Sequence, residues 1–302
     1  MSRFIFLIPD ERRLPRGGIM NIVRHCAVAR ELGAETALAT YTGGDAHGKR
    51  WFRHDEKVIK WSDRRPDDIC LIADFYSAQV EDHPGPCIVY EQVPVRIQND
   101  FDYMRDNVQI WTDSPFMLEL CQAAYPGKDI PIVPNVVDDK AFPFTPQEQK
   151  QRGLMIVFPR KGKDFIKAVF KLYKKKGGRY WKPKALNKMR LDKMAEVFCQ
   201  AEAFLASAEM EGCALPPQEA MSAGVVVVGK TAKGANFSMR HGETALISES
   251  VEDTVDSFFQ LEDTELRSRL SKAGHEFISR YHPANEPSDF WRRVLDGDLS
   301  FK

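Results

Sequence analysis

Glu211-Gly212-Cys213-Ala214-Leu215-Pro216-Pro217-Gln218-Glu219-Ala220-Met221-Ser222-Ala223-Gly224 is followed directly by the apolar run Val225 to Val228. The two prolines suit a helix start, because proline at the first helical position loses no needed N–H. Glu211 then lies in the loop before the helix and Glu219 in its first turn. Backbone N–H groups and the helix dipole at such an end favour an anion, phosphate above all. Carboxylates flanking that spot accept hydrogen bonds from hydroxyls. A loop offering phosphate donors and hydroxyl acceptors together fits a sugar nucleotide. The ordinary alternative is that acidic residues near a helix start simply act as caps.

Outward from this stretch, short apolar runs alternate with helical periodicity, the mark of α/β layers. Phe4 to Ile8 reads as a buried first strand ended by Pro9. Ile19, Ile22, Val23, Cys26 and Ala29 recur at helical spacing, with Gly33 as a stop. Thr36–Thr40, Ile69–Ala73, Cys87–Tyr90, Gln109–Thr112 and Ile130–Val133 read as further strands of one doubly wound domain. Pro134 to Arg152, rich in Pro, Gln and charge, reads as a linker. A second α/β unit begins with the strand Leu154–Phe158. It continues with a helix over Leu191–Gln200, a strand Ala203–Ala206, the helix from Pro216 and the strand Val225–Val228. The tail is helical, ending in the apolar stripe Phe290, Trp291, Val294 and Leu295.

A length of 302 residues makes two domains the natural expectation. With 43% apolar and 11% aromatic residues the chain can fill real cores, which excludes wholesale disorder. Lys+Arg and Asp+Glu both count 43, but that balance hides a segregation. Residues 160–193 hold fourteen Lys/Arg against two Asp/Glu, so the rest of the chain carries a matching excess of acid. No apolar run approaches the roughly 20 residues of a membrane span. No secretory leader is evident. The six cysteines show neither CxxC pairing nor a His/Cys cluster, which suits a reducing cytoplasm and buried thiols.

The Glu211–Gly224 stretch resembles the E-x(7)-E signature of the retaining family-4 (group 1) glycosyltransferases, whose fold is GT-B. Both glutamates, Gly212, Leu215, Pro216, Ala220, Met221 and Gly224 follow the family's pattern. Cys213 and Ala214 replace its usual Phe and second Gly. The resemblance implies that Glu211 contacts donor-sugar hydroxyls, that Glu219 holds the ribose, and that Gly212, Cys213, Ala214 and Leu215 line the donor. It extends along the chain. Arg16-Gly17-Gly18 stands where the family has a glycine loop facing the donor diphosphate, and glycine admits close approach of backbone N–H groups. Trp111 to Phe116 resembles the strand and Ser before a late helix. Val133 to Asp138 resembles the P-N-G-V-D that opens the interdomain linker, with Val136 in place of Gly. Phe158-Pro159-Arg160-Lys161 stands where a strand ends in a phosphate-binding Arg with a Lys close behind. The spacing is compressed, so Lys161 and Lys163 are rival candidates for that Lys. Gly234, Ala235 and Asn236 stand at a Gly-rich loop near the donor.

There are departures. The chain is shortened between Arg160 and Glu211, so a small second sheet is expected. The family's N-domain His is absent from the region Leu71 to Tyr76; Asp74 or Glu91 is a candidate replacement on the acceptor side, the alternative being surface-loop carboxylates. Gly43 to Lys49 matches G-x-x-x-x-G-K, but Arg50 stands where Mg²⁺ ligation needs Ser or Thr, and no clear helix follows. A flexible loop over the acceptor cleft is the better reading than an NTPase. Lys174, Lys175, Lys176, Arg179 and Lys182 in the basic segment read as a polyanion patch for nucleic acid or an anionic membrane, or else as a solvated helix face.

The expectation is a compact GT-B enzyme: two Rossmann-like domains facing across a cleft, residues 1–142 and 143–280, with residues 281–302 forming a helix that returns to the first. It transfers a sugar from a nucleoside diphosphate sugar to a hydroxyl with retention. No cofactor or metal is expected, because no DxD pair sits at a strand end. Glu211, Arg160 and Lys161 are the expected catalytic groups, the cations neutralising the leaving diphosphate. The expected location is cytoplasmic, or peripheral to the inner membrane face. The rivals are a degenerate nucleotide-sugar-binding protein without turnover and a nucleic-acid-binding protein using residues 160–193.

Overall fold

Phe4–Leu7 forms β1, buried at all four positions, as a strand covered on both faces must be. The computed structural model describes residues 3–10, 16–45, 50–97, 103–281 and 285–297. Of the Gly43–Arg50 stretch, Ala46 to Lys49 lie outside the described residues. The chain divides into one unit of Met1–Val136 with Asn285–Lys302 and a second of Val137–Ala284.

In the first unit β1 is followed by α1 (Gly17–Glu31), which buries Ile19, Ile22, Val23, Cys26 and Ala29. Gly33, at φ +91°, closes the helix: its N–H bonds to Arg30 O and that of Ala34 to Ala29 O, a Schellman turn. Then come β2 (Thr36–Thr40), β3 (Val58–Lys60), β4 (Ile69–Ala73), β5 (Cys87–Glu91) and β6 (Val108–Thr112), followed by α2 (Pro115–Ala124). Ser114 caps α2, its hydroxyl accepting from Met117 N at 3.1 Å. The sheet order is β3-β2-β1-β4-β5-β6, all parallel, the order of a doubly wound dinucleotide-type sheet. The expected strand at Ile130–Val133 reduces to one bridge, Thr112 to Ile132.

The last helix, here numbered α8 (Glu286–Leu295), belongs to this unit. Trp291 is fully buried, edge-on to Phe4 with ring centroids 5.4 Å apart. Its indole N–H donates to His25 Nδ1 at 3.0 Å, and His25 Nε2 lies 3.0 Å from Pro134 O. An accepting Nδ1 leaves the proton on Nε2, so the ring is neutral and singly protonated. Burial holds His25 down to about 4.

The second unit runs β7 (Gln151–Val157), α3 (Lys163–Lys175), β8 (Lys182–Ala185), α4 (Leu191–Gln200), β9 (Ala201–Ala206), α5 (Leu215–Ser222), β10 (Val226–Gly229), β11 (Ala245–Ile247), α6 (Val251–Gln260) and α7 (Thr264–Tyr281). Its sheet is five-stranded and parallel, in the order β11-β10-β9-β7-β8. Alternation along β7 feeds two cores. Leu154 and Ile156 pack with Phe198 and Phe204 on one face; Met155 and Val157 pack with Ile166, Phe170 and Phe258 on the other. The end of the expected linker is not a loose spacer. Gln147 Nε2 donates to Glu202 O and Gly224 O, Lys150 Nζ donates to Cys199 O and Ala223 O, and β7 already begins at Gln151. Polar side chains satisfy strand-end and helix-end carbonyls there, which is why a polar sequence folds against the unit.

Candidate active site

Three loops leave the carboxyl edge of the second sheet, where parallel α/β sheets bind ligands. They follow β7, β9 and β10, and they frame a small pocket of about 30 Å³. Phe158 and Lys161 come from the first loop, Ser207 and Glu211 from the second, and Asn236 from the third, with Pro216 at the head of α5.

The first loop is fixed by a close approach. Gly162 sits at φ +110°, and a Cβ there would meet Ser207 O at 2.3 Å. Only glycine allows that contact. Ser207 Oγ donates to Lys161 O at 2.5 Å, which ties the turn to the end of β9. Lys161 Nζ then pairs with Glu211 Oε1 at 2.5 Å, each side chain about a quarter exposed, 26% and 23%. The pocket thus holds a cation and a carboxylate from two different loops.

The third loop is strained. Ala232, Lys233 and Gly234 all have positive φ, at 53°, 59° and 98°. Two consecutive non-glycine residues in the left-handed region cost energy that the surroundings must offset. The bend brings Asn236 to the pocket, where its Nδ2 donates to Lys230 O at 2.9 Å. Its Oδ1 is buried and has no hydrogen-bond partner. A buried acceptor without a protein partner is costly, which leaves Asn236 Oδ1 open to a water or a ligand at the pocket. Lys230, buried beside it, pairs with Glu209 and lies 4.3 Å above the Phe165 ring.

The remaining sequence-derived residues fall as follows. Arg160 is exposed in the same turn as Lys161, and Lys163 is the exposed first residue of α3. Gly212 to Ala214 form the bend between Glu211 and α5, and Gln218 Nε2 donates to Cys213 Sγ at 3.1 Å. Glu219 is fully buried within α5 and is not among the pocket-lining residues. The first helical residue of α5 is Leu215, with Pro216 and Pro217 second and third. The prolines therefore remove two of the N–H groups that the sequence reading assigned to phosphate binding. No side chain caps this helix.

In the first unit, Gly17 and Gly18 open α1, and a Cβ on Gly18 would meet Gln92 Oε1 at 2.8 Å. Asp74 follows β4 directly and Glu91 ends β5, so both stand at the carboxyl edge of that sheet. They are not surface-loop carboxylates: Asp74 is 1% exposed and Glu91 0%. Burial pushes Asp74 up to about 6, and burial with the neighbouring Asp74 charge pushes Glu91 up to about 8. Gln92 N donates to Asp74 Oδ2 at 3.2 Å, while Glu91 Oε2 is buried with no partner.

Lys174, Lys175, Arg179 and Lys182 are exposed, whereas Lys176 pairs with Asp256 at 2.9 Å. Among the described residues no group of three or more His, Cys, Asp or Glu could hold a metal ion. The cysteines are free, four of them buried.

The whole chain shares its fold with solved glycosyltransferases. A glycosyltransferase from Rickettsia africae ESF-5 matches with TM-score 0.73 and 12% identity, over 100% of this chain and 99% of that one. The Anabaena protein HepE, solved with UDP and glucose, matches with TM-score 0.73 and 11% identity, over 98% and 100%. The pneumococcal O-GlcNAc transferase GtfA, solved with UDP and GlcNAc, matches with TM-score 0.69 and 10% identity, over 99% of each chain. No curated protein matches the sequence. The fold is therefore α/β of the GT-B type, two Rossmann-like units in one chain. Residues 184–277 match the family model of the glycosyl transferases group 1, a span that contains Glu211, Glu219 and Asn236. That match spans about a third of the chain, and the likeness to the solved structures is one of fold.

Proposed function

We propose that this protein moves a sugar from a nucleoside diphosphate sugar to a hydroxyl acceptor, with retention of configuration and without a metal ion. The pocket at the carboxyl edge of the second sheet carries the reading. It sets a carboxylate able to accept from sugar hydroxyls, Glu211, beside a cation able to meet phosphate, Lys161, with the unpartnered Asn236 oxygen on a third side. Arg160 and Lys163 flank Lys161 at the same turn and add positive charge where a diphosphate would leave. HepE and GtfA, which share the fold, were solved with UDP and a sugar, which supports a donor of that chemistry here. Attack from the face that the leaving group vacates needs no protein nucleophile, and the cations supply the electrostatic stabilisation that a metal would otherwise give.

No described helix is long and apolar enough to cross a membrane. The test is a thermal-shift and hydrolysis panel of UDP-, GDP- and ADP-sugars. Stabilisation and slow hydrolysis with one nucleotide class is the expected result. Stabilisation without hydrolysis or transfer to any acceptor would favour a nucleotide-sugar-binding protein, and no response to any donor would overturn the donor pocket.

A further inference from the structure

The fourteen cations of residues 160–193 far exceed what a diphosphate needs, and the structure sorts them. On α3, Ile166, Val169, Phe170 and Tyr173 face the core. Lys176 turns toward α6, where it pairs with Asp256. Lys163, Lys167, Lys171 and Lys174 recur at steps of four, four and three, which sets them on the opposite flank, beyond the outer edge of the sheet. All four are exposed. Eleven residues at the helical rise make a row about 16 Å long. That flank borders β8, the edge strand, whose four residues are all exposed. Lys182 and Lys184 register with Leu154 and Ile156, so they leave β8 on the sheet face away from α3. The two rows straddle one edge of the unit. Among the described residues none of these six lysines has an ion pair, and Asp164 is the one carboxylate in α3.

We propose that this edge is a docking surface for an anionic lipid bilayer, approached edge-on. Nucleic acid is the competing polyanion, and two observations disfavour it. The interleaved aromatics are poorly placed to stack on bases: Tyr173 and Trp181 are 1% and 3% exposed, and the half-buried Tyr180 ring already has Arg152 and Arg267 against it, 5.6 and 5.1 Å from its centroid. Both rows are lysine throughout, point charges suited to a diffuse headgroup surface, without the planar forks of arginine that grip individual phosphates. The edge also carries no exposed large apolar side chain, so attachment is electrostatic, reversible and sensitive to salt. It places the enzyme at a surface without inserting it.

Flotation with vesicles of phosphatidylcholine and phosphatidylglycerol tests this on the full chain. Binding is expected at low ionic strength, with loss on raising salt and none on pure phosphatidylcholine. Each lysine near such a surface is worth roughly fivefold, so K167Q/K171Q/K174Q lowers partition about a hundredfold. Adding K182Q/K184Q lowers it further. K57Q/K193Q/K272Q removes the same charge from scattered positions and keeps most of the binding. Circular dichroism melts confirm that each variant folds. Absent binding at low salt, equal loss in the scattered variant, or gel-shift of duplex DNA by a protein that ignores anionic vesicles would each overturn the proposal. Because the readout needs no turnover, its failure is separate from failure of the donor panel.

Discussion

Replacing Glu211 by Gln keeps the side chain's shape and removes its charge. Its structural partner is Lys161, at 2.5 Å, with both groups about a quarter exposed. Water screens such a pair, and exposed ion pairs are worth about 0–1 kcal/mol. The midpoint of unfolding should therefore move by no more than about 2–4 °C. Activity answers to a different interaction. A carboxylate accepting from a sugar hydroxyl makes a charge-assisted bond worth roughly 1.5–3 kcal/mol. Its loss lowers turnover about ten- to a hundredfold. Since positive charge grows on the sugar as the leaving group departs, kcat should fall more than KM rises. The assay pairs urea denaturation with initial rates of donor hydrolysis, for Glu211→Gln, Lys161→Met and the double variant. Lys161→Met should act chiefly through the diphosphate. Wild-type kcat in Glu211→Gln would refute the pocket assignment, as would a loss of stability large enough to explain the loss of rate.

Arg160→Ala should weaken nucleotide sugar and free nucleoside diphosphate alike in calorimetry, because both present the same phosphates; unchanged diphosphate affinity would make it a bystander cation. Turnover should persist in EDTA, and loss restored by Mn²⁺ or Mg²⁺ would contradict the metal-free reading. His25 is held down to about 4 from an ordinary 6.5, so its contribution is complete above pH 6.5 and is lost as pH falls through 4. Over that interval urea denaturation should show a loss of about 3 kcal/mol, and His25→Gln should flatten the profile. Glu91, pushed up to about 8 from 4.5, works the other way: its contribution is complete below pH 4.5 and is lost as pH rises through 8. Glu91→Gln should thus be more stable than wild type at pH 9 and nearly equal to it at pH 4.5, by the same measurement.

The strands legible in the sequence are those buried at most or all of their positions. β1, β5 and β9 are buried at every position and stand out as apolar runs. β3 and β8 escape because they are edge strands of three and four residues. β8 reads Lys-Pro-Lys-Ala, with charge and proline where edges discourage further pairing, so it carries no apolar signal at all. At the site, the loop position of Glu211 follows from local sequence, but its pairing with Lys161 does not. The two lie 50 residues apart and meet only because β7 and β9 are neighbours. For Asp74 and Glu91 it is the alternative of surface-loop carboxylates that fails, for a different reason. Each lies at a strand end, where a carboxylate is ordinarily solvated, yet β4 and β5 are adjacent inner strands and their ends are covered. Lys230 and Ser207 have no sequence signal beyond following a strand, so only the folded sheet brings them to the site.

The two prolines of α5 bear on how the donor is divided among the loops. They make the helix start easy to see and weaken it as an anion site, since two of its leading donors are gone. The turn after β7 has the complementary character. Arg160, Lys161 and Lys163 crowd into four residues, α3 begins at Lys163 with its leading N–H groups intact, and Gly162 lets the whole turn lie against Ser207. On the proposed function, phosphate recognition therefore belongs to the β7–α3 turn, and hydroxyl recognition to the β9–α5 loop with Glu211. The ion pair between Lys161 and Glu211 then spans the junction where the sugar–phosphate bond would break. A donor entering there exchanges one protein ion pair for two ligand contacts, phosphate on Lys161 and hydroxyl on Glu211. The pair holds both groups in place beforehand, which lowers the ordering cost of binding.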